Sequence, residues 1–588
     1  MLILSIIFLT ACGAADGAET ETGTEGADNP PPAPVSVLVG IAVKDGAFNA
    51  HYALNENFAG AELTLIYEDG SVLSADITAD MLTGFDTSST GIKTVTVAYA
   101  GFTDTVNIFV TSVKSVAFDA NGGGAVADAP VDPVTGKAAV PDNPVRVGFS
   151  FAGWYADPAF EREFDFNAPA DADTLFAKWN IEYSALPAVL IDLEDGFPLA
   201  DVDRENYINA RVTLDNTDGE FLLDGVKAEF RGRGNGTWEC DKKGYRIKFD
   251  KKQPLFGLEK NKHFVLFASA ADGSFSRNNT AFDITRQVLD GIEYVSSHRY
   301  VDLYVNGNYH GVYVVFEQVR VDRGRVDIDS EYEVNNTGYL IEYDAYYEGT
   351  EGIDYFRADG LKYPFMIKSP DPEEYAEKID GDGAEDIFRA QAAYIAEYVG
   401  DVVKAVFDGD FEDFCDLADI GSFVDMYILH ELFKNTDSGW SSFFLYKKPG
   451  GKLYAGPPWD FDFTVGASRG DSSPEGLYVA DSVTEYSDYT ANELFIALMQ
   501  TDGFVAAVKT RWTAVAKSIA EVIETELSDA VLSSYAAAAA RDNLRWRPGE
   551  FDSAAAAAND YIARAVFVRT WLLARVYWLS YMWSTPDN

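Results

Sequence analysis

The chain has 588 residues, of which 46 are basic and 94 acidic, for a net charge of −48; 47% are hydrophobic and 14% aromatic. That charge excludes a reader of nucleic-acid backbones, which needs a basic surface, so nucleic acid is not an expected partner. The apolar fraction is enough to order most of the chain, and the length corresponds to about three to four domains.

Residues 1–12, MLILSIIFLTAC, form an apolar run too short for a comfortable membrane span, ending on small residues before Cys12. This reads as an export signal. The stretch LTAC (Leu9 to Cys12) resembles the bacterial lipobox, which implies cleavage before Cys12 and lipid attachment there. The expectation is an extracytoplasmic, lipid-anchored protein at the cell membrane or surface that touches the membrane through this lipid only; an ordinary secretory signal is the alternative. Residues 13–34, rich in Gly, Ala, Glu, Thr and Pro, then serve as a solvated tether. Cys240 and Cys415 are the other two cysteines. Two thiols make neither a disulfide framework nor a zinc pattern.

From 35 to 112, alternating runs such as ELTLIYEDGSVLSADI and KTVTVAYAGFTDTVNIFV, broken by Gly and Asp turns, predict an antiparallel sandwich. The segment resembles bacterial immunoglobulin-like (Ig-like) modules. Residues 113–180, with VAFDANGGG, PVRVGFSFAGWYADPAFEREFDF and DTLFAKW, resemble the Listeria-Bacteroides (internalin B-type) repeat, a small β-rich, β-grasp-like module of surface proteins. Neither segment gathers titratable groups, so both read as spacers or adhesive units, with envelope or surface polymers as possible partners.

From 181 the pattern changes. Strands continue to about 345 around one helix, RNNTAFDITRQVLDGI (277–292), and helical spacing dominates after DPEEYAEKIDGDGAEDIF. A β-rich half therefore precedes a helical half, with a core over about 181–500 and terminal helices over 491–588. The segment YIARAVFVRTWLLARVYWLSYMW looks membranous but carries Arg564, Arg569 and Arg575. Those charges predict a packed helix instead of a lipid-facing one.

Five stretches carry chemistry. AEFRGRGNGTW (228–238) sets Arg231 and Arg233 among glycines, where backbone and guanidinium groups can approach an anion; a glycine-tolerant hairpin is the alternative. In KKGYRIKFDKK, Tyr245, Ile247 and Phe249 alternate with Arg246 and Lys248, so the two cations share the face opposite the apolar one. Lys368, in FMIKSPDPEE, is a rival for pairing with phosphate. VDLYVNGNYHGVYVVFEQV (301–319) predicts a hairpin that ends at Glu317. Finally, NTDSGWSSFFLYKKPGGKLYAGPPWDFDFTVG (435–466) puts Asp437 after a helix and Asp460 and Asp462 after a short hairpin. Acids so placed suit a metal and phosphoryl transfer, or else they bond backbone amides in tight turns.

Seven blocks in order, FRGRGNGTW, YRIKFDKK, LFGLEKNKHFVLFASAADGSFSRNN, VDLYVNGNYHGVYVVFEQV, GYLIEYD, NTDSGWSSFFLY and PPWDFDFTVG, resemble the spore coat protein H (CotH) kinase-like family over roughly 181–500. The resemblance implies an α+β atypical protein-kinase-like domain over 181–588 that takes ATP with Mg²⁺ or Mn²⁺ and phosphorylates protein hydroxyls. It implies Asp437 as the catalytic acid and Asp460 as a metal ligand assisted by Asp462. Lys248 would be the nucleotide lysine, with Arg231, Arg233 and Glu317 lining the cofactor site. Ser442 stands where kinases carry a metal-binding Asn and would ligate in its stead. The alternative is a surface adhesion or display protein with a catalytically weak or inactive kinase-like fold.

Overall fold

The computed structural model describes residues 36–584 apart from 45, 47, 112–113, 133–134, 332–333, 372–383, 436, 468–472 and 482–491. Cys12 and the tether lie outside the described residues. The chain divides into two compact units, Met1–Glu182 and Tyr183–Asn588.

In the first unit, a three-stranded sheet (Leu38–Val43, Ala61–Tyr67, Val72–Ile77) and a four-stranded one (His51–Ala53, Phe102–Thr111, Gly91–Tyr99, Leu82–Thr83) share one core. Alternation turns Leu63, Leu65, Val95, Val97, Ile108 and Val110 into it. The pairing is not wholly antiparallel as expected: His51–Ala53 runs parallel to Phe109–Thr111. After Val43 the chain crosses to the edge of the other sheet, whereas a hairpin would have turned it back. A separate sheet, ordered Phe149–Tyr155, Thr174–Ile181, Ser115–Asp119, Ala129–Pro130, surrounds Trp154, Leu175 and Ala177.

The second unit begins with a closed seven-stranded barrel: β1 (Ala188–Leu193), β2 (Ile208–Asp215), β3 (Val226–Arg233), β4 (Gly244–Gln253), β5 (Asn261–Phe267), β6 (His298–Val305) and β7 (Asn308–Glu317). Parallel pairing of β1 with β6 closes it. Tyr245, Ile247 and Phe249 fill the interior with Phe230, Phe264 and Tyr313. The β6–β7 hairpin turns through Asn306 and Gly307, at φ +48° and +69°, as two left-handed turn residues require.

Because the interior is full, chemistry must lie on the barrel's outside. Outward Val265, Phe267, Val314 and Phe316 belong to a second core, built with the sheet of β8 (Tyr339–Tyr343), β9 (Tyr355–Phe356), β10 (Phe365–Ser369), β11 (Phe443–Lys447) and β12 (Leu453–Ala455). Eight described α-helices complete it: α1 (Arg277–Val288), α2 (Ala384–Asp408), α3 (Phe411–Leu417), α4 (Ile420–Phe433), α5 (Glu493–Leu498), α6 (Asp502–Glu526), α7 (Asp529–Trp546) and α8 (Ala554–Ser584). The expected short hairpin before Asp460 is β11 and β12, set within the otherwise helical half. No described helix is long and apolar enough to cross a membrane. On α8, Arg575 is fully buried against Glu431 at 2.5 Å.

Candidate active site

Three loops meet beside the outer face of β3 and β4: one leading into α1 with Asp272, one between α4 and β11, and one after β12. The second leaves α4 through Lys434, which caps the helix in the left-handed region at φ +47°. Asn435 then braces the loops: its Oδ1 accepts from the Asp437 amide at 2.9 Å and its Nδ2 donates to the Asp460 carbonyl at 3.2 Å. Asp437 opens a turn whose carbonyl accepts from the amides of Trp440 and Ser441. Ser442, at φ +61°, aims its hydroxyl at Asp460 Oδ2 at 3.4 Å. Asp460 itself sits at φ +66°, a strained backbone for a residue with a Cβ, held here by Asn435 and Ser442 of the loop between α4 and β11.

The start of α1 grips the third loop. Asn278 accepts the Phe461 amide at 2.7 Å, and Arg277 Nε donates to the Thr464 carbonyl at 2.8 Å. Arg277 is in turn fixed by Asp272, which also takes the Ser274 hydroxyl and the Arg277 amide. Asp272 is thus saturated by protein donors. Asp462 is not: it is 1% exposed, and neither carboxylate oxygen has a hydrogen-bond partner. Burial, then the charge and close side-chain approach of Asp460 and the charges of Asp437 and Asp272, push its carboxyl well above the usual carboxylate range. Asp437, Asp460 and Asp462 are therefore brought within electrostatic reach of one another.

Opposite them stand cations. Burial lowers the Arg233 guanidinium pKa, while Asp460, Asp462 and Glu342 hold it up. Its side chain lies 5.7 Å from the Trp459 and Phe267 ring centres. Arg246 is pushed down to about 10 by burial and by Arg233 and Arg231. The Nε atoms of Arg231, Arg233 and Arg246 are buried without partners. Lys368 pairs with Glu342 at 2.8 Å, and both Arg246 and Arg233 feel that Glu342.

Other expected site residues stand elsewhere or are otherwise engaged. Lys248, two positions beyond Arg246, pairs with Glu229 across the β3–β4 ladder at 2.7 Å. Arg231 donates to the carbonyls of Arg204 and Glu205 and stacks on Tyr207. Glu317 is saturated by the Glu259 and Ser297 amides and the Tyr294 hydroxyl, at 3.1, 3.0 and 3.3 Å, and so is a buried brace at the end of β7. Sequence reading missed Asn435, Asp272, Arg277 and Asn278, and named Arg246 without a role. The dense polar run SFSRNN opening a helix was the available signal for the α1 group.

Among the described residues no group of three or more His, Cys, Asp or Glu is arranged to hold a metal ion. A magnesium ion does not need one. It is held by one or two carboxylates together with phosphates and water, and Asp460 with the orphaned Asp462 fits that donor set.

The sequence model for CotH kinase protein matches residues 230–575, more than half of the chain. The chain belongs to the CotH kinase family. The Listeria-Bacteroides repeat domain matches residues 115–178. No curated protein matches the chain. A CotH domain makes the protein kinase-like, and domains of both kinds are typical of extracellular or surface proteins.

Proposed function

We propose that the cleft between β3–β4 and the three acidic loops takes ATP with a divalent cation and transfers the γ-phosphoryl group to a hydroxyl of a protein outside the cytoplasm. One observation carries the reading: buried guanidinium nitrogens without acceptors face a buried carboxylate without donors. The two sets attract but do not satisfy each other. A metal-bound polyphosphate would satisfy both, its oxygens meeting the arginines and its cation the carboxylates.

In this reading Arg233, Arg246 and Lys368 bind phosphate oxygens, and Asp460 and Asp462 hold Mg²⁺ or Mn²⁺. The cation offsets charge on the phosphates. Ser442 and Asn435 keep Asp460 in its strained conformation. Asp437 orients the acceptor hydroxyl and takes its proton as the new oxygen–phosphorus bond forms and the β–γ bridging bond breaks, with ADP leaving. Lys248, paired with Glu229, serves the barrel surface. Export, the lipid on Cys12, the Ig-like sandwich over 35–112 and the β-grasp-like repeat over 113–180 would together present the kinase-like domain at the cell surface.

The test is incubation of the full chain with radiolabelled ATP, Mg²⁺ or Mn²⁺ and a hydroxyl-rich protein, beside Asp437→Ala and Asp460→Ala. Metal-dependent label that falls about a hundredfold or more in both variants supports transfer. Equal label in all three removes it. Ser442 in the kinase Asn position and the repeat module favour the second reading, a display or adhesion protein with a weak or inactive fold. Binding of the purified chain to cell-wall polymer, with no label transferred, would select that one.

A further inference from the structure

Away from the acid cleft, a cavity of about 270 Å³ lies among α1, the start of β6 and the helices α6, α7 and α8. Helix α1 separates the two: Arg277 and Asn278 hold the acidic loop, whereas Asn279 and Asp283 line the cavity. Asn279 is 4% exposed; its amide oxygen has no hydrogen-bond partner, and its nitrogen reaches only the Tyr300 hydroxyl, weakly. That hydroxyl itself donates to the Phe275 carbonyl at 2.9 Å. An orphaned buried amide is costly, and each such group calls for an explanation.

Two further features accompany it. Tyr300 and Tyr535 pack tilted by 42° with ring centres 4.7 Å apart, and Tyr561 adds a third ring. Beside the rings are the carboxylates of Asp283 and Glu526, two acids against the one exposed cation of the lining, Arg299. Their compensation by the protein is partial. Arg286 takes Asp283 Oδ1 at 2.9 Å and Gln287 takes Glu526 at 3.1 Å. The His298 ring, 3.5 Å from Asp283 Oδ2, is held neutral by burial and by Arg286 and Arg299. Burial and Glu526 push the Asp283 carboxyl up to about 7, against Arg286.

We propose that this cavity binds a small organic ammonium compound that also carries a hydroxyl, an amino alcohol by chemical class. The ammonium sits on the tyrosine faces beside Asp283 and Glu526, where ring quadrupoles and carboxylates both attract a cation. A hydroxyl donates to the Asn279 oxygen, which no protein donor reaches, and can accept from the amide nitrogen. An anion would meet the two carboxylates, and a wholly apolar guest would leave Asn279 unsatisfied.

The experiment titrates the full chain by calorimetry and thermal shift with three probes: choline, its neutral carbon isostere 3,3-dimethylbutan-1-ol, and tetramethylammonium, which lacks the hydroxyl. Choline binds, and each of the others is weaker by roughly tenfold. Glu526→Gln, a change at a half-buried position, weakens choline and tetramethylammonium together and leaves the neutral isostere unchanged. Asn279→Leu abolishes the preference of choline over tetramethylammonium. Choline and the neutral isostere binding alike, no binding by any probe, or choline affinity unaltered in Glu526→Gln overturns the proposal.

Discussion

Replacing Arg575 by methionine removes the cation from the most enclosed ion pair among the described residues of the second unit. The guanidinium and the Glu431 carboxylate are both 0% exposed. Arg575 donates to Glu431 Oε1 and to the carbonyls of Glu431, Pro474 and Gly476, at 2.5 to 3.3 Å. Glu431 also accepts the Tyr478 and Val479 amides at 2.8 and 3.0 Å. Methionine matches the stem but not the charge, so Glu431 stays buried against two backbone amides and the Tyr427 hydroxyl with no cation, at a cost of about 3–5 kcal/mol. The second unit has roughly 400 residues, and at about 2.1 cal/mol/K per residue its unfolding entropy is ~0.85 kcal/mol/K. Arg575→Met should therefore lower its melting temperature by about 4–6 °C. Circular dichroism melts of the full chain check this, together with the double variant Arg575→Met, Glu431→Gln. The double variant should regain more than half of the loss, because the stranded charge is gone. A shift under about 1 °C, or strictly additive losses, refutes the assignment of a mutually dependent pair.

Burial holds His263, His298 and His430 down to about 3 and His310 to about 4. The unfolded chain takes up these protons below about pH 6.5, so stability falls as pH drops from there toward 3, by up to ~1.4 kcal/mol per pH unit for each histidine. Asp283 and Asp344, raised to about 7, act in the opposite sense: what they contribute is full below about pH 4 and lost as pH rises through 7. His430, ringed by Phe461, Phe443 and Phe495, offers the clean case. His430→Phe should flatten the acid limb of urea-unfolding stability by close to one proton. Gly311→Ala should destabilise by about 2–4 kcal/mol in urea titration, since φ is +107° and the new Cβ would lie 2.2 Å from Asp542 Oδ1. Asn278→Ala orphans the Phe461 amide; it should cost about 1–3 kcal/mol in the melt and, on the proposed function, reduce phosphoryl transfer at temperatures where the variant is fully folded.

What was legible in the sequence is local. Alternation in YRIKFD separated Arg246 and Lys248 from the inward residues Tyr245, Ile247 and Phe249; the Asn306–Gly307 dipeptide announced the hairpin; the arginines of α8 argued for a packed helix, which Arg575 fulfils. What was not legible depends on register between distant segments. Closure of the barrel joins Ala188–Ile191 to Asp302–Val305 in parallel, a pairing with no turn to mark it. Whether Lys248 or Lys368 lies nearer the acids depends on which strand end abuts β8, and periodicity within one strand carries no such information. Glu317, which the resemblance put in the cofactor site, could not be read as a brace because its three donors come from two distant segments, Glu259 and Tyr294 with Ser297.

The energetics of the cleft separate it from ordinary interior. Along the outer face of the barrel, Val265, Phe267, Val314 and Phe316 pack against the second core, and there the two layers need nothing between them. On β3 and β4 of the same face, Arg233 and Arg246 take over, and three acidic loops stand opposite. Each orphaned buried polar group costs about 1–3 kcal/mol, and here the Nε atoms of both arginines and both oxygens of Asp462 are orphaned together. A scaffold indifferent to ligand would lower its free energy by replacing either set with apolar side chains, as buried ion pairs generally allow. Retaining both sets, with Asp460 strained between them, is the pattern of a fold that gives up stability at the place where it works. A ligand that filled the gap would return part of that stability on binding.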